Sequence, residues 1–343
     1  MKTIAAVKPN QVEIIEVAKP KPGPYQALVK NKIAAICNAT DRKLIEGHFP
    51  GIDQYPLVLG HEGVGIVEEL GEKVRNFKRG DHVIGGMLGD YGDPNIHCGW
   101  GGFCEYVLVH DHDAMVDDGA ANAEHGWFES CEIQRVVDKD IPLAEAALLC
   151  TWREVYAAFG DFHLKAGDDI LIFGAGPVGL SFVKFARLLG LNWLGVVEPN
   201  KSRHAKILEM GASQVMLPEE VPALKDSRGP LDAIIDAVGN EHIVNLTLPL
   251  IKLGGSIGIY GVLAHETIPL QKSLGPYNFN LFVHQWPTRS REREAQKPLC
   301  DWIRQGKLRA DEFVTHTFPF EQINDALAAS QTGSVIKCLL TYT

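Results

Sequence analysis

The sequence predicts an α/β protein in two parts: a β-barrel or sandwich of short strands, and a doubly wound unit whose parallel sheet is covered by helices on both faces. Three observations lead there. The 343 residues exceed the usual size of a single core. Up to about residue 109 the chain runs as short apolar segments cut by Gly, Pro and Asp, the texture of a barrel or sandwich. Beyond Pro142, strand, glycine turn and helix alternate, which implies a parallel sheet.

Taken in order, residues 26–36, 63–69 and 81–84 read as strands of the first part. Residues 111–140 follow His110, are acidic, contain His112, His125, Trp127 and Phe128, and show little periodicity. They are expected to form a surface excursion or lid, since long irregular stretches usually serve function or motion. Helical spacing then marks 144–159, 180–189, 202–210 and 242–251, alternating with apolar runs at 169–173, 193–198, 233–237 and 256–260. In the tail, Arg289, Arg291, Glu292, Arg293 and Glu294 read as a solvated helix face, followed by a helix over 296–305 and a strand over 335–341. No internal repeat or low-complexity tract interrupts the pattern.

Composition narrows the partners. With 33 basic and 43 acidic residues the formal charge is -10, so nucleic acid or an anionic membrane surface would meet net repulsion. Met1-Lys2-Thr3-Ile4 enters a strand pattern without the features of a signal peptide, and no window offers the roughly 18 apolar residues of a membrane span. Cysteines 37, 98, 104, 131, 150, 300 and 338 are scattered and odd in number, which fits a reducing compartment. A cytoplasmic protein is expected.

Gly174-Ala175-Gly176-Pro177-Val178-Gly179 is a G-x-G-x-x-G, a pattern that 34 glycines can generate by accident. Context gives it weight, because it follows an apolar strand and opens a helix. Gly174 can then make the tight turn, Gly176 admit a pyrophosphate and Gly179 let helix and strand pack closely. The pyrophosphate would meet unpaired N–H groups at the helix start. The next strand ends in Glu198, an acid roughly 20 residues beyond the turn, suited to ribose hydroxyls and repelling a 2'-phosphate. NAD is therefore the expected cofactor, while Arg203, counted among the cofactor-binding residues, and Lys201 leave room for NADP.

Cys37 closes the apolar run Ile33-Ala34-Ala35-Ile36, His61 and Glu62 sit in Leu59-Gly60-His61-Glu62-Gly63, and Cys150 precedes Thr151-Trp152-Arg153. Singly, each thiol fits a core cysteine and His61 a core imidazole. Together with the nucleotide motif they resemble the zinc alcohol dehydrogenases of the medium-chain dehydrogenase/reductase superfamily. The matching stretches include Gly60-His61-Glu62-Gly63-Val64-Gly65, Gly71 with Val74, Phe77-Lys78, Gly80-Asp81-His82-Val83, Gly101-Gly102-Phe103-Cys104-Glu105-Tyr106, and Val314-Thr315-His316 with Pro319-Phe320.

The resemblance implies a GroES-like β-barrel catalytic domain from residues 1–150 and 286–343, a Rossmann domain over 151–285, and zinc in the cleft between them. It implies Cys37, His61 and Cys150 as ligands, leaving a fourth position open. Glu62 resembles the acid beside the metal that ligates directly in some relatives. One catalytic Zn2+ per chain, NAD, a small alcohol or ketone substrate and a homo-oligomer, dimer or tetramer, are the corresponding expectations.

Two departures stand out. Many relatives carry a four-cysteine lobe for a structural zinc, but residues 86–104 offer only Cys98 and Cys104, so no structural zinc is expected; His97 and Cys131 are the groups that would have to complete one. After Cys37 the chain reads Asn38-Ala39-Thr40-Asp41-Arg42-Lys43, which displaces the hydroxyl and acid of the family by one residue and puts Lys43 where a histidine is common.

The implied chemistry is metal-assisted hydride transfer from an alcohol to the nicotinamide. Thr40 would take the substrate proton, and Asp41 would orient a ligand from behind. His48, Arg153 and Trp286 suggest a hydroxyl-rich secondary alcohol such as a polyol, cyclitol or sugar. A zinc-free quinone or enoyl reductase with the same domains is the alternative enzyme, and a non-catalytic NAD-binding protein the alternative of another class.

Overall fold

The computed structural model describes residues 1–263 and 267–343. They form two compact units, one of Met1–Thr151 with Gln296–Thr343 and one of Trp152–Ala295. No helix among the described residues is long and apolar enough to cross a membrane.

The first unit is organised around the long strand Gln26–Ile36. Gly63–Leu70, Lys337–Thr341 and Tyr106–His110 all pair with it antiparallel. The sheet continues through His82–Ile84 to Arg135–Val137 on one side and to Val314–Pro319 on the other, so tail strands complete a sheet begun near the N-terminus. A smaller sheet joins Gln11–Glu16, Lys2–Lys8, Leu57–Val58 and His97–Cys98. Ile4, Ala34, Ile36, Leu57, Phe103 and Leu340 are buried in one shared core. Apolar burial of this kind drives the unit together.

Register decides what this sheet can carry. Cys338 lies opposite Ile36 and Ala34 opposite Gly63, so Cys37, the His61-Glu62 pair and Lys337 emerge at the same end of three neighbouring strands.

In the second unit six strands run parallel. Counted along the unit, their order is third, second, first, fourth, fifth, sixth: Gln214–Met216, Leu194–Val197, Ile170–Phe173, Leu231–Asp236, Ile251–Ile259 and Asn280–Val283. This is the doubly wound dinucleotide-binding order, with its switch point beside the first strand. All four residues of Ile170–Phe173 are buried, as expected for a strand covered on both faces. The following helix, Pro177–Leu188, buries Leu180, Phe182, Val183, Phe185 and Ala186.

Two segments differ from expectation. Residues 111–140 are more regular than their pattern suggests. Asp111 caps the helix His112–Asp117 by accepting from Ala114 N, and Arg135–Val137 pairs with His82–Ile84. The charged run of the tail is the start of one helix, Arg289–Arg304. Within it Glu292 is buried, 2.8 Å from Arg289 and 3.8 Å from the buried Arg153. Glu292 thus turns inward to an ion-pair network, while Arg291 and Glu294 of the same run are exposed.

Candidate functional site

The candidate metal centre begins with a backbone constraint. Gly60 sits at φ 94°, and a Cβ there would stand 2.2 Å from the Phe103 ring. Only glycine fits this turn, which brings the chain into His61 and Glu62 just before the strand Gly63–Leu70. Cys37 leaves the neighbouring strand at the same level, and the Ala35 N–H donates to the Glu62 carbonyl at 2.9 Å.

Ligand atoms of Cys37, His61 and Glu62 lie within 4.8 Å of one another, the grouping of potential metal donors found among the described residues. Zinc bonds of about 2.0–2.3 Å bring tetrahedral ligands somewhat closer than this, so a small inward movement would complete the contact. A thiolate, an imidazole and a carboxylate suit Zn2+ chemically.

Cys150 is buried in the helix Leu143–Asp161 with Sγ 4.0 Å from the Gly63 carbonyl oxygen. It borders the residue after Glu62 but lies outside the close grouping. The expected ligands thus divide: Cys37 and His61 stand together, Glu62 stands with them, and Cys150 flanks them.

Asp41 is the organising acid. Its Oδ2 accepts from the Cys37 N–H at 2.9 Å, and its Oδ1 lies 3.6 Å from His61 Nδ1. Both Asp41 Oδ1 and His61 Nδ1 are buried without a hydrogen-bond partner. Their pairing would fix Nδ1 as the donor and present Nε2 to a metal, the arrangement ligating histidines usually need. Burial pushes the Asp41 carboxyl up to about 7, reinforced by Cys37 and Glu62 and opposed by His61 and the Cys37 N–H.

Glu62 is held by two groups that the sequence did not single out. Lys337 Nζ donates to it at 2.7 Å and Thr151 Oγ1 at 2.7 Å. Burial alone would raise this carboxyl, but Lys337, His61 and the two hydrogen bonds outweigh it and hold the acid ionised. Burial would likewise discharge Lys337, and Glu62 chiefly, with Cys37 and Asp41, keeps it charged. A lysine inside the apolar run Val335-Ile336-Lys337-Cys338-Leu339 was the available signal, because a charge in a buried strand needs a partner.

Thr40 is the first residue of the short helix Thr40–Glu46 and is half-buried. It is the side chain of the next residue, Asp41, that reaches both Cys37 and His61.

In the other unit the glycine turn has the geometry a pyrophosphate requires. A Cβ on Gly179 would fall 1.9 Å from the Gly174 carbonyl, whereas one on Gly176 would meet nothing within 4 Å. The third glycine is thus needed for packing, and the second leaves an open approach to the backbone. Pro177 and Val178 begin the helix, whose N-terminus receives no side-chain cap and keeps N–H groups available for an anion. Glu198 is buried after the second strand, accepting from Ala175 N at 2.9 Å and Asn200 N at 2.8 Å. Arg203 lies in the short turn Lys201–Arg203, next to His204, which contacts the Glu198 carbonyl at 2.8 Å.

Among the described residues the remaining thiols join no grouping of three potential metal donors. Cys104 Sγ lies 3.0 Å from Thr3 Oγ1. Burial pushes its thiol up to about 12 and that of Cys131 up to about 11.

Comparison with known proteins agrees with both halves. Residues 23–117 match the alcohol dehydrogenase GroES-like domain family, and residues 177–294 match the zinc-binding dehydrogenase family. A geraniol dehydrogenase of Castellaniella defragrans is 30% identical, the match covering 97% of this chain and 95% of that protein. An Escherichia coli CFT073 protein described as a short chain alcohol dehydrogenase (rspB), solved with NADH, superposes with TM-score 0.80 at 23% identity over 100% of this chain and 99% of its own. A putative zinc-binding dehydrogenase of Sinorhizobium meliloti 1021 bound to NADP superposes with TM-score 0.79 at 23% identity, covering 99% of each chain. The expected GroES-like and Rossmann folds are both present.

Proposed function

Because the chain belongs to the zinc-containing alcohol dehydrogenases of the medium-chain superfamily, we propose that it interconverts a secondary alcohol and its ketone with one zinc ion and NAD. It is an oxidoreductase of alcohol dehydrogenase type. The observation that carries the reading is the convergence of Cys37, His61 and Glu62 within 4.8 Å.

When bound, zinc supplies a Lewis acid that lowers the pKa of a hydroxyl, and NAD supplies the hydride acceptor. Cys37 and His61 would hold the metal, with Cys150 beside Gly63 as a further thiol ligand and Glu62 able to exchange with it. Asp41 orients the imidazole through Nδ1. Lys337 and Thr151 fix Glu62 as an anion. Thr40, on the helix that carries Asp41, would relay the proton of the substrate hydroxyl, accepting it while passing its own hydroxyl proton on to solvent.

Glu198 supports NAD as the working cofactor, since a carboxylate beneath the glycine turn favours ribose hydroxyls over a phosphate. The hydroxyl-rich substrate expected from His48 and Arg153 draws no support from those groups. The His48 side chain is 74% exposed beside Glu46, and Arg153 is buried against Glu292. We place the protein in the cytoplasm and expect a dimer or tetramer, which light scattering would determine.

The test is an NAD-reduction screen over polyols, cyclitols, sugars and simple secondary alcohols, using protein of measured zinc content before and after chelation. Turnover that falls with zinc and returns on its addition is expected. Full turnover without zinc, or reduction of quinones and enones in place of alcohol oxidation, overturns the reading.

A further inference from the structure

Trp100 combines three unusual properties. It is a bulky residue at φ 71°, in the left-handed region that disfavours side chains of its size. It also stands between Gly99 and Gly101, either of which would tolerate that geometry better. Its ring centroid lies 5.8 Å from that of His61 and, edge-on, 5.1 Å from that of Phe49. Finally, it lines a cavity of about 820 Å³ in the first unit, within the range of small-molecule pockets.

Apolar side chains stand beside the indole, and Lys21, Asp90 and Ser130 are among the other groups lining the cavity. Ile52 packs against the same core as Phe49 and Trp100, and Leu88 and Tyr91 face the adjacent Gly101, where a Cβ would meet the Leu88 carbonyl and the Tyr91 hydroxyl. That hydroxyl is already spent on the Leu88 carbonyl. His110, elsewhere on the cavity wall, is engaged by Gln26 and Gln134.

We propose that Trp100 is a specificity-determining residue: its indole is the wall shared by His61 and this cavity, and it selects a secondary alcohol bearing an aryl or similarly flat apolar group over a polyol. The proposal deepens the alcohol dehydrogenase reading and rests on it. An aryl group gains edge or offset contacts with the indole. A polyol would lose water from its hydroxyls against the indole face, which offers them no hydrogen-bond partner. Strain at position 100 is consistent with a side chain held where a ligand needs it.

The experiment compares kcat/KM for 1-phenylethanol, 2-propanol, sorbitol and myo-inositol in the zinc-loaded protein, its Trp100→Gly variant and its Trp100→Phe variant. Calorimetric binding of 1-phenylethanol and myo-inositol to the enzyme–NADH complex is measured alongside. Glycine accepts the positive φ, so Trp100→Gly removes the ring without adding backbone strain; retained zinc and NADH affinity certify the fold, and Trp100→Phe preserves an aromatic wall.

We expect 1-phenylethanol to exceed both polyols by at least about tenfold, and Trp100→Gly to erase most of that ratio while Trp100→Phe keeps it. Sorbitol or myo-inositol outperforming 1-phenylethanol, or an unchanged ratio in Trp100→Gly, overturns the proposal. If no alcohol is oxidised at all but 1-phenylethanol binds in a Trp100-dependent way, the dehydrogenase reading fails and the pocket assignment stands. Absence of both turnover and binding removes both.

Discussion

Lys337 Nζ lies 2.7 Å from the Glu62 carboxylate although 275 residues separate them along the chain, and both side chains are almost completely buried. The antiparallel register that sets Cys338 opposite Ile36 brings them together. Neither charge would persist alone in such surroundings, because burial opposes ionisation of both. Thr151 adds a second donor to the carboxylate. Glu62 therefore remains an oriented anion beside His61, whose Nε2 is 3.8 Å away.

Breaking this pair should cost far more than removing a surface ion pair. Lys337→Met leaves a buried carboxylate with the Thr151 hydrogen bond but no counter-charge, and is expected to destabilise the first unit by about 3–5 kcal/mol in urea unfolding. The double variant Lys337→Met with Glu62→Gln should recover part of the loss, since no lone charge then remains. A single variant within about 1 kcal/mol of the wild type would show that water or another cation neutralises Glu62.

Zinc content should be about one per chain, bound at the site built on Cys37 and His61. Cys37→Ala should empty it while NADH binding persists, because the nucleotide turn is built from Gly174 to Gly179. Asp41→Asn should weaken zinc by about 10–100-fold by disturbing the acid that faces His61 Nδ1. About two zinc ions per chain by elemental analysis would mean that Cys98, Cys104 or Cys131 also binds metal, although burial raises all three thiols.

Much of the site was legible because it lies in short local motifs. The glycine turn before His61 and the G-x-G-x-x-G each fix a backbone shape with adjacent residues, and the pattern changes from short strands to alternating strands and helices where the second sheet begins. What stayed hidden depends on distant register. Lys337 reaches Glu62 only once the tail strand pairs with Gln26–Ile36, and charge counting along the tail could not reveal that Glu292 turns inward to Arg153. The helix His112–Asp117 was obscured for another reason: it is short and rests on the Asp111 cap more than on apolar periodicity.

Glu198→Ala should weaken NADH more than NADPH. The carboxylate now accepts from Ala175 N and Asn200 N, so its loss removes support for the glycine turn together with the acceptor for ribose hydroxyls. Hydrogen bonds to a charged group contribute about 1.5–3 kcal/mol, so NADH affinity should fall by roughly one to two orders of magnitude. NADPH should lose less because repulsion of its 2'-phosphate disappears as well. Fluorescence titrations with both cofactors check this; equal losses would assign Glu198 to the turn alone.

Thr40 supplies the most exposed claim about mechanism. Asp41 is committed to the Cys37 N–H and faces His61, which leaves the hydroxyl of the preceding, half-buried Thr40 as the group on that helix suited to accept a proton. General acid–base participation is typically worth about 10² to 10⁴ in rate, so Thr40→Val should reduce kcat by at least the smaller factor with zinc and NADH affinity unchanged. Thr40→Ser should retain most of the rate, because the step needs a hydroxyl and not a methyl group. A structural role would give the opposite order, with valine preserving the shape of the helix start and serine losing it. Should Thr40→Val turn over like the wild type at neutral and alkaline pH, the proton leaves by another route. Lys43, whose ammonium is lowered by burial, then becomes the first residue to replace, ahead of Glu62, which is held by Lys337, and His48, which faces solvent.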